Sequence, residues 1–569
     1  MPSQSAPLDE LLAGLARGGT RHADRDAAAR SRLALACACS VADAAADWVR
    51  EAVAIKQGGA EAWTEETATG PLVTLRLLLL TARALDHMAR HGLPRLPTRP
   101  RAAAPAERGG AAADLVEVDV LPSGGLYDRL IHGGQRATVR CAIPGGVEAF
   151  AATWRREVED RQRAGGVAVV LGAGNVTGLA AADALCQVFE HGRAALLKLH
   201  PLHAPLAPVL SRALAPLVDA GLLAIVVGGA DLARAAVAAP TVGHVHLTGG
   251  AAAFEALVWG GRDPHAPGAV PILAKPITCE LGNVTPWFVV PGDYTPVQLA
   301  AQADTVAASI ANNTSFNCIA TKLVVTCRSW PQREAFLDRV ARRLASLPPR
   351  PAWYPGAKAA WETITGSAAP ADGTLPWVLR TGLDPGRDRE WFTREWFVPV
   401  AAETAIEAEG VEEFCGRAAG LARGLAGSLA ASVTIPDSLP PRDLRRAHLL
   451  AGHLEYGVVV INGWSALAYA AGNVPWGGFP GATLADPASG IGRVHDPLLL
   501  PLVHNSIVHM PLVVRPAAPW FPWHPGGRRL TDGLLATYAA IARGGPGIVP
   551  VLRMLPAAVR WSLRPLPPP

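Results

Sequence analysis

The stretch "VAVVLGAGNVTGLAAADAL", residues 167–185, sets an apolar β-type run against Gly172, Gly174 and Gly178 and then an alanine-rich segment at helical spacing. A glycine turn between strand and helix commonly holds a dinucleotide's phosphates, because free N–H groups at a helix N-terminus attract anions. Here the spacing is G-x-G-x-x-x-G rather than G-x-G-x-x-G. The next β-type run, "AALLKLHP", carries Lys198 where an acid would hold a ribose hydroxyl. Either the match is accidental or the turn does another job. Two further residue types carry potential chemistry. Only five lysines (56, 198, 275, 322 and 358) stand among 52 basic residues, so a lysine at a motif hints that a compact ammonium is wanted, with mutational bias the alternative. The eight cysteines, at 37, 39, 141, 186, 279, 318, 327 and 415, form no C-x-x-C pair and no dense disulfide framework. No metal ligands are indicated, and a reducing compartment is expected.

Length and composition describe what must position such groups. A chain of 569 residues, half of them apolar, suits two or three domains and a globular enzyme rather than a disordered protein. The first residues, "MPSQSAPLDELLAGLARGG", have no apolar signal-peptide core, and no run of roughly 20 uncharged apolar residues suggests a membrane span. From Pro516 onward six arginines (528, 529, 543, 553, 560 and 564) face one acid, Asp532. The rest of the chain is close to neutral, so nucleic acid is not an expected partner. Residues 1 to about 100 read as helical, and "LPRLPTRPRAAAPAERGG" as a loop. "DLVEVDVLP" and "RATVRCAIP" alternate as strands do. Between 166 and 275, "GVAVVLGAG", "AALLKLHP", "LLAIVVGGA" and "GHVHLTGG" are β-type runs separated by Ala/Leu helices, which predicts a parallel sheet with helices on its faces.

Several motifs then fall in one order: "NVTGLAAADAL", "LLKLHPLHAPL", "VHLTGG", "CELGNVTP", "NNTSFNCIATKLVVT", "REWFVPV", "VVVIN" and "NVPWGGFPG...SGIGR". Across about residues 130–512 the series resembles the aldehyde dehydrogenase superfamily. The resemblance implies an α/β fold with a Rossmann-type cofactor domain, an α/β catalytic domain and a small β oligomerisation hairpin. The corresponding organisation is 1–114 as the helical part of the cofactor domain, 115–142 as the hairpin and 143–275 as the nucleotide-binding α/β domain. The catalytic domain takes 276–494, a returning oligomerisation strand 495–515, and a basic Pro/Trp-rich extension 516–569.

The resemblance also assigns roles. Asn175 matches the asparagine that presents its amide N–H to the reacting carbonyl oxygen; read alone, it could equally cap the following helix. Cys318 in "SFNCIATK" matches the nucleophile, with its own N–H as second oxyanion donor, although a single cysteine is more often a small buried hydrophobe. Glu280 in "CELGN" matches the general base that hydrolyses the thioester. Two departures, Asn283 for a usual glycine and Phe316 for a usual glutamine, are expected to narrow the substrate tunnel or shift the backbone beside it. For NAD or NADP, Lys198 matches the ribose-binding lysine, Gly249 and Gly250 the pyrophosphate turn, and Glu395 and Phe397 the nicotinamide end. Pro201 stands where many NAD-preferring relatives have Glu, so NADP is a second expected cofactor; Gly250 replaces a usual serine.

The implied reaction is NAD(P)-dependent oxidation of a small-molecule aldehyde to a carboxylic acid by a cytoplasmic homodimer or homotetramer. Two alternatives are an acylating enzyme using coenzyme A, which commonly lacks the Glu, and a catalytically weak scaffold that docks on a membrane or partner. The tail, with "WFPWHP" and "IVPVLRMLPAAVRWSLRPL", suits an interfacial segment facing anionic lipid or one packed on its own enzyme. Prolines 546, 550 and 556 are expected to forbid one long helix there.

Overall fold

The computed structural model describes residues 7–104, 114–123 and 126–563. Five parallel strands form the sheet foreseen around the glycine turn, in the order Leu223–Val227, Ala194–Leu199, Val167–Leu171, Val242–Thr248 and Ile277–Glu280. Its central strands are buried throughout, as continuous apolar runs in a parallel sheet must be when helices cover both faces. The strand order reverses between Val167–Leu171 and Val242–Thr248, the place in an open α/β sheet where a crevice forms beyond the carboxyl ends. The fifth strand lies past the boundary expected at 275. It pairs with Val245–Thr248, so Glu280 belongs to the cofactor sheet's edge.

A second sheet of ten strands runs Arg101–Ala102, Leu115–Leu121, Arg136–Ala142, Val503–His509, Val458–Ile461, Ala430–Thr434, Pro286–Val289, Leu323–Cys327, Val400–Ile406, Val378–Arg380. The strands foreseen at 115–142 and 495–515 pair antiparallel with each other and extend the parallel catalytic sheet through Val503–His509. Within the expected loop at 93–110, Arg101–Ala102 instead pairs with Val116–Glu117; residues 105–113 of that region lie outside the described residues.

Helices Ala27–Ile55 and Val73–His91 pack on each other, and Leu8–Ala23 packs on the strands of the five-stranded sheet. The continuous helical segment Glu61–His91 is long and apolar enough to cross a membrane by composition, but 72% of its most apolar window is buried inside the protein. It is a core helix. Its π-turn, Ala68–Leu72, meets the glycine turn closely: a side chain at Gly178 would overlap the Thr69 carbonyl.

The extension folds onto the body. Helix Gly527–Ala542 packs on helices Ala27–Ile55 and Ala60–Thr67, and helix Ile548–Leu563 packs on it in turn. The extension thus forms two helices rather than one long one, as expected, although Pro550 and Pro556 themselves lie within the second. Pro550 sits in the first turn, where its missing N–H costs nothing, whereas Pro556 forgoes one interior bond. Gly544, Gly545 and Pro546 separate the two helices. Arg564 lies outside the described residues.

Candidate active site

The nucleophile region begins where helix Pro296–Ala311 ends. Its start is fixed by a capping box between Thr295 and Gln298. At its other end Asn312 leaves the helix, and Asn313, Thr314 and Ser315 follow with φ of 54°, 56° and 62°. Three consecutive non-glycine residues in left-handed geometry are costly, about 1–3 kcal/mol each, unless surrounding contacts hold them. Those contacts are present. Lys56 Nζ donates to Asn313 Oδ1 (2.8 Å) and pairs with buried Glu66, the Asn313 N–H donates to Glu65 (3.3 Å), and Lys322 Nζ donates to Ser315 Oγ (2.6 Å) and to the Val398 carbonyl (2.9 Å). The loop then delivers Cys318, half-buried, immediately before strand Leu323–Cys327.

Glu280 arrives from the other sheet. The Cys318 thiol donates to Glu280 Oε1 at 3.3 Å, and Trp476 Nε1 donates to Oε2 at 2.9 Å. Burial, with help from the neighbouring Asp183, pushes the Glu280 carboxyl up to about 7. Burial and the flanking Glu280 and Glu395 carboxyls push the Cys318 thiol well above its ordinary range. The resting pair therefore keeps its proton on sulfur. Asn175 does not cap the helix Leu179–Phe189, whose N-cap is Gly178 without a side-chain bond. Its amide donates instead to the Phe316 carbonyl at 3.2 Å, two residues from the nucleophile, while the Asn313 amide donates to the Asn175 carbonyl at 2.9 Å. The Cys318 N–H makes no backbone hydrogen bond among the described residues, which leaves it available to an oxyanion.

One cleft of about 570 Å³, at the strand-order reversal, is lined by all eight residues singled out in the sequence: Asn175, Lys198, Gly249, Gly250, Glu280, Cys318, Glu395 and Phe397. Gly250 is the N-cap of helix Ala251–Val258, so that helix opens onto the cleft with its first N–H groups. Lys198 ends the second strand and Arg234 comes from the helix after the outermost strand, so positive charge gathers on one side and Glu280 and Glu395 on the other. Burial lowers the Lys198 ammonium's affinity for its proton. Glu395 Oε1 is buried without a hydrogen-bond partner among the described residues, and a side chain at Gly282 would overlap its other oxygen. An orphaned carboxylate oxygen beside a glycine cradle fits a sugar hydroxyl, so these residues suit a dinucleotide.

A second, apolar cavity of about 90 Å³ reaches the same pair from the opposite side, walled by Ile319, Trp464, Tyr469 and Trp476 among others. Cys318, Glu280 and Leu179 line both cavities. Cys318 and Glu280 thus stand between the larger cleft and an apolar chamber. Neither Phe316 nor Asn283 lines that chamber. Phe316 is buried against Trp353, Tyr354 and Phe397, behind the two rings Tyr354 and Phe397 that line the cleft. Asn283 is buried and donates to Thr285 and to the Ala430 carbonyl.

A model of the aldehyde dehydrogenase family matches residues 141–359. That segment, rather more than a third of the chain, is similar to the aldehyde dehydrogenase family. Among solved structures, an NAD-dependent aldehyde dehydrogenase from Sinorhizobium meliloti is 16% identical, covering 88% of this chain and 87% of its own (TM-score 0.56). The aldehyde dehydrogenase KauB from Pseudomonas aeruginosa is 17% identical, with 87% of each chain covered (TM-score 0.55). The NADP-dependent glyceraldehyde-3-phosphate dehydrogenase from Bacillus halodurans C-125 is 16% identical over 88% of this chain and 90% of its own (TM-score 0.54). At these identities the likeness establishes the aldehyde dehydrogenase fold. No curated protein sequence matches the chain.

Several functional residues escaped the sequence reading. Lys56, Glu65, Glu66 and Asn313 hold the nucleophile loop, and Tyr354 and His200 line the cleft. The scarcity of lysine was a signal for Lys56 and Lys322, and the quoted "NVPWGG" contained Trp476. No sequence signal pointed to Glu65. The described residues also bring Cys186, Glu190 and His191 within 4.8 Å of one another, where sequence indicated no metal ligands. None lines the cleft, and the Cys186 thiol already donates to Glu190.

Proposed function

We propose that this protein is an aldehyde dehydrogenase that oxidises an uncharged, apolar aldehyde to the carboxylic acid with NAD or NADP, and that water rather than coenzyme A releases the acyl group. The observation that carries the reading is the Cys318–Glu280 pair lining both cavities. The aldehyde enters the apolar chamber, and Cys318 sulfur attacks its carbonyl carbon as the thiol proton leaves toward Glu280. The oxygen gains negative charge between the Asn175 amide and the Cys318 N–H; one such donor is typically worth roughly 3 kcal/mol. The bound nicotinamide supplies the acceptor for the hydride. Glu280 releases the thiol proton to solvent and then takes a proton from water; the hydroxide adds to the thioester carbon, and Cys318 leaves as thiolate and takes up a proton again. Aldehyde, NAD(P)⁺ and water give carboxylate, NAD(P)H and two protons.

Either cofactor is accommodated. Apart from Glu280 and Glu395 at the nicotinamide end, no carboxylate lines the cleft to repel a 2′-phosphate. The free thiols at all eight cysteines support a reducing, cytoplasmic setting. Self-association through the 115–142 strands is part of the proposal, supported by their place beside the short edge strand Arg101–Ala102. So is contact with anionic lipid through the last helix, which exposes Ile548, Leu552, Leu555 and Leu563 beside Arg553 and Arg560. Incubating the protein with NAD or NADP and a panel of apolar aldehydes, with absorbance of the reduced nicotinamide as readout, tests the reaction. Turnover without coenzyme A is expected; absence of reduction with every aldehyde would refute it.

A further inference from the structure

Trp520, eleven residues past the end of the last strand at His509 and inside the appended tail by sequence, lines the chamber that holds Cys318. The tail is therefore a wall of the active site. We propose that Trp520 is the gate of the aldehyde tunnel, dividing an inner chamber fitted to the carbonyl from an outer groove fitted to an apolar chain. This rests on the aldehyde-oxidising reading above and names its substrate class.

The inner chamber, about 90 Å³, has room for the reacting carbonyl and little beyond it. A second cavity, about 420 Å³, shares two of its walls, Leu467 and Trp520. Its other sides include Met510, Leu512, Phe521 and Leu563, with Asp304, Arg339 and Arg515 among its polar walls, so an apolar chain leaving the inner chamber past Trp520 would have an apolar face to lie against. The Trp520 ring lies 4.8 Å from that of Trp464, whose Nε1 donates to the carbonyl of Ile319, the residue after the nucleophile, at 2.6 Å. One ring thus separates the tail from the nucleophile's backbone. The Trp520 indole N–H is buried without a hydrogen-bond partner among the described residues, so no polar contact pins the ring closed.

The surroundings of the gate are fixed. Tyr538 accepts from Arg76 at 2.7 Å, the Arg528 guanidinium covers Trp63 at 4.3 Å, and that of Arg343 covers Trp523 at 4.5 Å. The chamber's charged walls are Glu65 and Glu280, both carboxyls, and Glu65 is already paired with Arg350. With no cation there, a carboxylated or phosphorylated aldehyde would lose its hydration and gain no partner. An uncharged aldehyde on an apolar chain or ring fits.

The test uses the full chain with a graded series, Trp520→Phe and Trp520→Ala. Specificity constants are measured for unbranched aldehydes of increasing length. In parallel, Cys318 is alkylated by N-methyl- and N-octylmaleimide with NAD present, and the Cys318 peptide is read by mass. Opening the gate is expected to raise the long-to-short ratio about tenfold in Trp520→Ala, with Trp520→Phe between it and the parent. The octyl-to-methyl labelling ratio should rise in the same order. Oxidation of aldehydes with both ratios unmoved across the series overturns the gate. Labelling ratios that rise while no aldehyde is oxidised leave the tunnel standing and overturn the function it was argued from.

Discussion

Between Cys318 and Glu280 one proton has two places to rest, and burial decides where it stays. Removing water destabilises thiolate and carboxylate alike. The negative charge of Glu280 adds to the penalty on Cys318, so deleting that charge must lower the thiol's affinity for its proton. Glu280→Gln is therefore expected to shift the pH profile of Cys318 alkylation by iodoacetamide to lower pH; a profile displaced upward would show that Glu280 instead draws the proton off. The raised carboxyl has a second consequence. Glu280 works as a base only when deprotonated, and its affinity is raised to about 7, so deacylation should climb as pH rises through that value. Parent single-turnover rates across pH 5.5 to 8.5 check this, and a rate flat across the range would contradict it. Cys318, Glu280 and Asn175 were legible because short motifs carry them. The Trp476–Glu280 bond was not, because its partners are 196 residues apart and only the fold joins them.

At the scale of elements, the left-handed run Asn313–Ser315 is a costly shape stabilised from outside its own segment. Lys56 comes from the end of helix Ala27–Ile55, Glu65 and Glu66 from helix Ala60–Thr67, and Lys322 from the start of the next strand. Breaking a buried pair strands its partner. Lys56→Met should cost about 3–5 kcal/mol of stability in denaturant titration and slow Cys318 acylation. A variant as stable as the parent would mean that the loop holds its own geometry. The cofactor strands carry a separate expectation. Pro201 is exposed three residues beyond Lys198, and Pro201→Glu should penalise NADP more than NAD through like-charge repulsion, read as the ratio of kcat/KM for the two cofactors. An unchanged ratio would place recognition of the 2′ position elsewhere, with Arg234 the nearest alternative in the cleft. Strand and helix alternation from 166 onward was plain in the sequence because its apolar runs are long and bounded by glycine. The left-handed loop was not, since Asn-Asn-Thr-Ser is equally at home in an ordinary turn.

For the whole molecule, the least legible part is the extension. Its proline, tryptophan and arginine content reads as an appendage, yet Trp520 reaches the chamber of Cys318 and Tyr538 reaches Arg76. Composition carried no information about contacts made across hundreds of residues, 462 for Tyr538 and Arg76. Its outer helix remains largely exposed, with Leu552 57% and Leu555 50% accessible. If that face meets lipid, Leu552→Glu with Leu555→Glu should abolish co-sedimentation of the full chain with anionic vesicles without altering aldehyde oxidation. Equal partitioning of parent and double variant would remove the membrane from the account. The ten-stranded sheet was legible as separate strands, while its continuity through Val503–His509 required long-range pairing that periodicity does not encode.

The central claim is that the cofactor sheet and the catalytic sheet meet so that Glu280 can activate water at an acyl group held on Cys318. The most direct measurement is rapid-mixing absorbance of the reduced nicotinamide in parent and Glu280→Gln, each with and without coenzyme A. Glutamine keeps the shape but accepts no proton, so acylation should survive while deacylation falls by about 10²–10⁴. The predicted trace for Glu280→Gln is a burst near one equivalent per active site followed by a slow steady state, with the parent turning over freely without coenzyme A. A parent that turns over only when coenzyme A is added, with Glu280→Gln behaving as the parent does, would contradict the account.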